Sequence, residues 1–430
     1  MINSTKTNIT QLGTEAFWII TGQLVAIIVS LIGVRILTSL MRPAEYGMLA
    51  LLVSFATAFQ YMPGLAISDT AMRFYTISFS TGRLIEYRSL LVRIFIVFTL
   101  IVSVVVLIGI GFAEFAFHEL VNWIIPAGIF AIASVGYLLS IGILNGARAR
   151  REVAVIQSFF QASRFILACF LVWFFSSLVF WAMWGFAIGA LLTACIGYWL
   201  LTKYIITDLN KNEKASTNLY SEMLGYGWPL LITGVLTWAT FFVDRWALGV
   251  FGTAEDIGKY FALYQVGFFP ALLGAQTLRH FISPIMFHRL SQAKNQTESD
   301  QVYLINLITA HCILIFFIIV FIITLFTHEL FFSILVGESY RAVSNLWPYM
   351  ILAGGISISS SGLLISMFAN MHTKIMIPIK LITTAVITVC VAIGAKMYGI
   401  DGVVYGILVF SILEFAITEL FVLKYVHKKY

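Results

Sequence analysis

Long apolar runs separated by short polar segments recur along the whole chain. The runs are continuous, as in Ile313–Phe326 and Leu178–Leu201, and do not alternate apolar with polar positions. A transmembrane helix needs about 20 mainly apolar residues, whereas a membrane β-strand alternates over about 10. The pattern predicts an all-α polytopic membrane protein with about twelve transmembrane helices, at residues 14–38, 46–68, 90–112, 121–145, 154–176, 178–202, 225–250, 259–287, 303–326, 344–370, 375–396 and 402–424.

The composition agrees with this class. Hydrophobic residues make up 60% of the 430 residues and charged residues only 11%, whereas a soluble domain carries about 25% charged residues. A polar segment, Lys203–Glu222, separates the sixth and seventh predicted helices. We therefore expect an N-terminal six-helix lobe at 1–205, a cytoplasmic inter-lobe loop at 206–222 and a C-terminal six-helix lobe at 223–430.

The basic residues concentrate in alternate connections. With the N-terminus in the cytoplasm, 20 of the 26 Lys and Arg residues lie on the inner side and 6 on the outer side. Because cytoplasmic connections are enriched in Lys and Arg, both termini are predicted to be cytoplasmic. The net charge of +6 then reflects inner loops beside anionic lipid headgroups. No basic run is interleaved with aromatic residues, so nucleic acid is not an expected partner.

The sequence carries no recognisable catalytic motif. Its glycine-rich stretches lie inside apolar runs and lack the Gly-Lys-Ser/Thr of a nucleotide-binding loop. The seven histidines are scattered, and the four cysteines lie in apolar runs without paired spacing. We expect no cofactor, no metal and no enzyme activity.

The two predicted lobes share a repeated segment. Arg35–Leu51 and Arg245–Leu263 each contain Arg, eight residues, Ala-Glu, and then Gly and Ala-Leu with small insertions. The sixth and twelfth predicted helices also both begin with a Gly-xxx-Gly pair, a pattern that favours close helix packing. Matches at equivalent places indicate a duplication. Since six is even, the lobes are predicted to form a parallel pseudo-repeat around a central cleft.

Three segments carry a family resemblance: Ala44–Gly47 after the first helix, Asp244-Arg245 with residues 254–260 after the seventh, and Tyr398–Gly402 before the twelfth. Together with the span count and the repeat, they resemble the polysaccharide transport family of the multidrug/oligosaccharidyl-lipid/polysaccharide (MOP) exporter superfamily, of the Wzx O-antigen or capsule type. The motifs are short, but the resemblance covers essentially the whole chain.

The resemblance implies a flippase of the bacterial cytoplasmic (inner) membrane that works by alternating access. Its substrate would be an undecaprenyl-diphosphate-linked oligosaccharide repeat unit, moved from the inner to the outer leaflet for O-antigen, lipopolysaccharide, capsule or another surface polysaccharide. The implied partners are this substrate, membrane lipids, and the polysaccharide polymerase with its chain-length machinery. Three alternatives stay open: a cation-coupled multidrug exporter of the same superfamily, a lipid II flippase, and a membrane-embedded glycosyl transferase or polymerase.

Ionisable residues inside the predicted helices form the candidate site, because a charge at membrane depth costs at least about 2.5 kcal/mol. Arg164 lies about 15 Å into the fifth helix, so it either contacts substrate in the cleft or has a structural partner. Arginine can bind a diphosphate through bidentate hydrogen bonds. The embedded charges lean basic, which suits an anionic substrate. The candidate diphosphate-binding residues are Arg35, Arg164, Arg245 and Lys380.

Several of these positions have two readings. Arg35, the repeat-related partner of Arg245, either faces the cleft or snorkels to the outer boundary. Lys380 either snorkels or faces the inner mouth. Neighbouring residues point about 100° apart on a helix, so Asp244 and Arg245 are not expected to pair simply with each other. The candidate ion-coupling or charge-pairing residues are Asp69, Arg73, Asp244 and Glu414.

The remaining expectations concern pairing, aromatics and bends. Asp69 and Arg73, four residues apart, are expected to pair locally or to serve the inner rim. Glu414 would either carry protons or pair with a cation such as Lys380. Pro63-Gly64 could bend the second helix. Aromatic candidates for holding sugars, most of them expected to be ordinary core or interfacial residues, are Tyr61, Trp238, Phe241, Phe242 and Tyr264.

Overall fold

The computed structural model of the chain describes residues 9–116, 118–175, 179–205, 219–275, 296–369 and 373–427. These residues form helices joined by short turns, and none of them lies in a β-strand. The prediction of an all-α polytopic protein is confirmed. The helices are α1 (Ile9–Leu40), α2 (Pro43–Phe59), a π-turn (Gln60–Gly64), α3 (Leu65–Thr81), α4 (Leu84–Ala116), α5 (His118–Gly146), α6 (Arg150–Phe175), α7 (Val179–Ile205), α8 (Leu219–Phe251), α9 (Ala254–Gly267), α10 (Gln296–Leu335), a 3-10 segment (Glu338–Leu346), α11 (Trp347–Ala369) and α12 (Thr373–His427).

Nine helical stretches among the described residues are long and apolar enough to cross a membrane. One of them joins α2, the π-turn and α3, and another covers most of α12. The predicted eighth helix begins in α9 and in the helical residues 269–275, and its remainder lies outside the described residues. The predicted tenth helix corresponds to α11. The total of twelve therefore stays a prediction.

Helix α12 contains both of the last two predicted spans. Gly399 breaks its helical geometry with φ 57° and ψ −128°, a left-handed conformation that glycine adopts without a Cβ clash. The chain doubles back there, because Gly394 lies against Gly402 and Cys390 lies against Gly406. The short outer turn predicted at Tyr398–Gly402 is thus a tight reversal, and the Gly402/Gly406 pair packs helix on helix.

The second predicted span is interrupted in its middle. Pro63 lies in the π-turn Gln60–Gly64, where proline supplies no N–H to the helical hydrogen-bond ladder. A π-turn of this kind widens one helical turn and often marks a functional region. The bend predicted at Pro63-Gly64 takes this form, and it carries Tyr61. By contrast, Pro229 lies inside the continuous helix α8.

Packing divides the described helices into an earlier and a later set. Among α1–α7, the most extensive contacts join α6 to α7, α5 to α7 and α1 to α6. Among α8–α12, they join α10 to α11, α11 to α12 and α8 to α12. The sets meet where α2 packs on α9 and where α3 and the π-turn pack on α8. Residues 206–218 lie outside the described residues, so the domain boundaries stay a prediction.

Candidate substrate cleft

Arg164 lies on α6 among aromatic rings and a glutamine. Its guanidinium carbon is 4.5 Å from the centre of the Phe160 ring and 5.6 Å from that of Phe186 on α7. Its Nη2 donates a hydrogen bond to Gln161 Oε1. Gly189 of α7 packs directly on the α6 backbone at this level, which brings the two helices together around the half-buried side chain.

The charge of Arg164 has no carboxylate partner among the residues that the structure describes. The ion pairs in that part of the chain involve other basic side chains, and the buried Nε of Arg164 has no hydrogen-bond partner there. Ring faces attract a cation by about 0.5–2 kcal/mol but do not neutralise it. A guanidinium with this surrounding offers a binding position for an anion.

Tyr61, in the π-turn of the earlier helix set, contacts the later helix set, α8–α12. Its hydroxyl group lies within electrostatic range of both Arg164 and Arg245. Its ring packs against two rings of α8, with centroids 6.0 Å from Phe241 and 5.6 Å from Phe242. The Arg245 guanidinium lies 4.8 Å from the centre of the same Phe242 ring. The sequence named Tyr61, Phe241 and Phe242 as candidates for holding sugars but did not predict that they pack together.

Asp244 and Arg245 form a buried cluster with residues of α9. Asp244 Oδ1 accepts a hydrogen bond from the Arg245 backbone N at 2.7 Å, and its Oδ2 accepts one from the Tyr260 hydroxyl. The Arg245 guanidinium lies 5.0 Å from the Phe261 ring centre and 4.4 Å from that of Tyr264. The exposed fractions of Asp244 and Arg245 are only 3% and 2%, so this cluster is closed.

The expectation that Asp244 and Arg245 would not pair with each other is wrong. Their side chains approach within 4.0 Å, from Asp244 Oδ1 to Arg245 Nη1. The long arginine side chain folds back along α8, where Nη1 also donates to the Phe241 carbonyl at 3.1 Å, and this offsets the angle between neighbouring Cα–Cβ bonds. The charge of Arg245 is thus compensated, in contrast to that of Arg164.

Helices α2 and α9 touch at their first turns. A Cβ at Gly258 would overlap the Pro43 carbonyl oxygen, and a Cβ at Gly47 would overlap that of Ala254. Only glycine lets the two backbones approach so closely. We call this contact the α2–α9 seam, formed by residues 43–47 and 254–258.

The seam also corrects the register of the repeat. Glu45 Oε2 accepts from the Arg42 backbone N at 3.1 Å, and Asp256 Oδ2 accepts from the Thr253 backbone N at 3.0 Å. Each acidic residue is the third of its helix and caps the first turn. The repeat as read from sequence pairs Glu45 with Glu255, whereas the structure pairs it with Asp256.

Arg35 extends the contact to the turn that follows α10. Its Nη1 donates to the Val336 carbonyl, and the Gly337 backbone N donates to Thr38 Oγ1 at 2.9 Å. Both bonds join α1 to the second set of helices. Arg35 thus helps to close the end of the protein that the predicted topology places outside, and the structure gives it an internal partner.

Lys380 and Glu414 lie on the two halves of α12. Both are half-buried. The alternatives for Glu414, proton carrier or partner of a cation such as Lys380, stay predictions. Arg73 lies at the other meeting place of the helix sets, with its guanidinium 4.4 Å from the centre of the Tyr226 ring of α8. The role predicted for Asp69 with Arg73 stays a prediction.

Sequence reasoning missed a polar face beside Arg164. Gln157 and Gln161 precede it by seven and three residues, so all three lie on one face of α6. Gln23 of α1 donates to Gln157 at 3.5 Å, and Tyr137 of α5 stacks on Phe160 with ring centroids 4.1 Å apart. The i, i+4, i+7 spacing of polar residues in an apolar run was the available signal. We call Gln23 and Gln157 the glutamine pair.

Comparisons with known proteins agree with this architecture. A profile of the family described as "Polysaccharide biosynthesis protein" matches residues 12–288, more than half of the chain. No curated protein matches the chain. An inward-facing MATE family transporter of the MOP superfamily aligns with a TM-score of 0.65 and 11% identity, over 96% of this chain and 99% of that one.

Two further solved structures show the same fold. The Vibrio cholerae MATE transporter VcmN in its bent form has a TM-score of 0.62 and 16% identity, over 97% of this chain and 98% of that one. An outward-facing MATE family transporter has a TM-score of 0.58 and 14% identity, over 96% of this chain and 93% of that one. These likenesses identify the fold of MOP-superfamily transporters. The profile identifies the family: the chain belongs to the polysaccharide biosynthesis protein family, in agreement with its sequence resemblance.

Proposed function

We propose that this protein is a flippase for undecaprenyl-diphosphate-linked oligosaccharide repeat units. The observation that carries the proposal is Arg164, a half-buried guanidinium without a carboxylate partner among the described residues. A diphosphate headgroup would supply the missing negative charge. Its hydrogen bonds to a guanidinium are charge-assisted and can be bidentate.

Energetics favour a substrate role for Arg164. A lone charge at membrane depth costs at least about 2.5 kcal/mol. The Asp244 carboxylate offsets this cost for Arg245, whereas Arg164 has only ring faces and the neutral Gln161 amide. An anion that binds during transport would offset the cost at that step. Arg164 is therefore the anchor for the diphosphate. Arg245, whose guanidinium lies 4.8 Å from the centre of the Phe242 ring that packs on Tyr61, stays in the proposed cleft set.

The proposed transport runs from the inner to the outer leaflet of a bacterial cytoplasmic membrane, with both termini in the cytoplasm. The lipid tail remains in the bilayer while the headgroup crosses through the cleft. The polymerase and chain-length machinery would then use the product for O-antigen, capsule or another surface polysaccharide. Arg35 and Lys380 stay in the proposed cleft set, and Asp69, Arg73, Asp244 and Glu414 stay proposed ion-coupling or charge-pairing residues.

The test uses purified protein in proteoliposomes containing a fluorescent lipid-diphosphate oligosaccharide. We expect Arg164→Ala to slow flipping at least tenfold, because a hydrogen bond to a charged group contributes about 1.5–3 kcal/mol. Arg164→Lys is expected to retain part of the rate, since lysine keeps the charge but loses the bidentate geometry. Access of a membrane-impermeant quencher to the outer-leaflet lipid measures the rate.

Arg341→Ala is the matched control, because Arg341 is exposed and its Nη2 donates only to the Ser333 carbonyl at 3.3 Å. Its rate should equal that of the wild type. Wild-type rates in Arg164→Ala would remove the anion anchor from the mechanism. A wild-type protein that moves cationic dyes but not the lipid-linked sugar would instead be a cation-coupled multidrug exporter.

A further inference from the structure

The polar face of α6 continues beyond the anion position. Gln157 lies about 10 Å along the helix axis from Arg164, at a rise of about 1.5 Å per residue. Because the residues share a helix face, Gln157 and Arg164 lie on the same side of α6. A sugar attached to a diphosphate at Arg164 could extend along this side of the helix.

The glutamine pair has unused hydrogen-bonding capacity. Gln23 Nε2 donates to Gln157 Oε1 at 3.5 Å, at the long limit for a hydrogen bond. Each glutamine amide carries two N–H donors and a carbonyl with two lone pairs. Gln23 is only 6% exposed, and Gln157 is half-buried. These adjacent amides offer donors and acceptors side by side, as the hydroxyl groups of a sugar require.

Helix packing does not need the glutamine pair. Ser158 Oγ donates to the Gly22 carbonyl at 3.2 Å, and Ala154 lies directly against Gly22. These contacts already join α1 to α6 at the same level. Gln161 differs from the pair, because it accepts the hydrogen bond from Arg164 and so positions the guanidinium.

We propose that the glutamine pair is a sugar-binding subsite for the one or two sugar residues next to the diphosphate. This inference rests on the proposed function, which places the diphosphate at Arg164. Gln23 and Gln157 would bind sugar hydroxyl groups through their amides, so that they select among lipid-linked sugars by the first residues of the repeat unit. The diphosphate anchor would serve every such lipid alike.

The test compares two ligands of the purified full-length protein in detergent. One is undecaprenyl diphosphate, and the other is the lipid-linked oligosaccharide extracted from the source cells. Dissociation constants are measured for the wild type, Gln23→Leu, Gln157→Leu, Ser158→Ala and Arg164→Ala. Thermal unfolding of each variant reports whether it is folded.

We expect the wild type to bind the sugar-bearing lipid more tightly than undecaprenyl diphosphate. Either Gln→Leu variant should lose about tenfold in affinity for the sugar-bearing lipid, equivalent to one or two hydrogen bonds, with affinity for undecaprenyl diphosphate unchanged. Ser158→Ala, which removes a bond between the same helices, should match the wild type for both ligands. Arg164→Ala should weaken both.

Other results would overturn the subsite. Equal wild-type affinities for the two lipids would mean that the site does not recognise sugar, although the flippase proposal would stand. Equal losses for both ligands in Gln157→Leu, or the same losses in Ser158→Ala, would assign the pair to helix packing. Binding of neither lipid by the wild type would remove the proposed function and, with it, this inference.

Discussion

Two arginines among the described residues, the buried Arg245 and the half-buried Arg164, have different electrostatic surroundings. Arg245 lies beside Asp244, whose second oxygen is held by Tyr260, whereas Arg164 lies among rings and a neutral amide. In the proposed function Arg164 attracts the anionic ligand, whereas the charge of Arg245 is already compensated by Asp244. The difference between them depends on the side chains brought near by other helices.

At the residue scale, Asp244→Asn is expected to destabilise the protein by about 3–5 kcal/mol, because it leaves the buried Arg245 charge unpaired. Thermal unfolding of the purified protein measures the effect. Tyr260→Phe removes one neutral partner of the same carboxylate and should cost less, about 1–3 kcal/mol.

The double variant Asp244→Asn with Arg245→Met tests whether the unpaired Arg245 charge causes the loss of stability in Asp244→Asn. Removal of both charges should recover much of the stability lost in Asp244→Asn, since an apolar replacement of a buried ion pair is often close to neutral. If the losses of stability caused by the two substitutions simply add, Asp244 does not stabilise the Arg245 charge.

Sequence reasoning located the charged candidates but not their partners. Arg164 was recognisable because a lone charge deep in an apolar run is costly. The glutamine pair was missed because a neutral amide carries a lower cost and stands out less. The partner of Arg35, the Val336 carbonyl, is 301 residues away in sequence, and no local pattern can indicate it.

At the scale of elements, helices were predictable and their interruptions only partly so. The length of the apolar runs located the membrane-spanning helices, because a backbone in lipid must form its hydrogen bonds within its own helix. Pro63-Gly64 indicated a bend, and the structure makes it a π-turn. The repeat was recognised one residue out of register, because Ala-Glu occurs in both segments and only the capping bonds of Glu45 and Asp256 distinguish the registers.

The α2–α9 seam makes a prediction of its own. Gly258→Ala would force Pro43 away from α9, so the end of the protein closed by the seam should open. A cysteine at position 38, which is 2% exposed as Thr38, reports this opening in a background without the four native cysteines. We expect a membrane-impermeant maleimide added from outside to label it at least several-fold faster in Gly258→Ala.

Gly249→Ala is the control for that experiment. Its added Cβ would lie 3.9 Å from the Ile257 side chain, an ordinary van der Waals contact, so labelling should match the protein with Gly249. Equal labelling rates in Gly258→Ala and in the protein that retains Gly258 would mean that the seam does not close this end.

At the scale of the whole molecule, the distribution of basic residues predicts an orientation in the membrane, and fusion proteins can test it. Green fluorescent protein fused to either terminus should fluoresce, because it folds in the cytoplasm, whereas alkaline phosphatase at those positions should be inactive. A fusion of alkaline phosphatase after Gly252, in a predicted outer connection, should be active. The reverse pattern would invert the topology and place the α2–α9 seam on the inner side.

The contacts between the earlier and later helix sets could not be predicted from the sequence. Length and polarity define the membrane spans, but the contacts between α2 and α9 and between α3 and α8 join segments far apart in the chain. The central cleft was expected from the repeat. The contact of Tyr61 with Phe241 and Phe242 could be found only from the three-dimensional packing.

The glycine contact at the α2–α9 seam has a consequence for mutational tolerance. If the α2–α9 seam opens in each transport cycle, the close contact that excludes a Cβ at Gly47 and Gly258 exists in only part of that cycle. Substitutions at Gly47 and Gly258 would then reduce transport while leaving the amount of folded protein in the membrane nearly unchanged. A saturation scan scored for both transport and abundance should separate these two positions from core residues such as Leu49, where transport and abundance fall together.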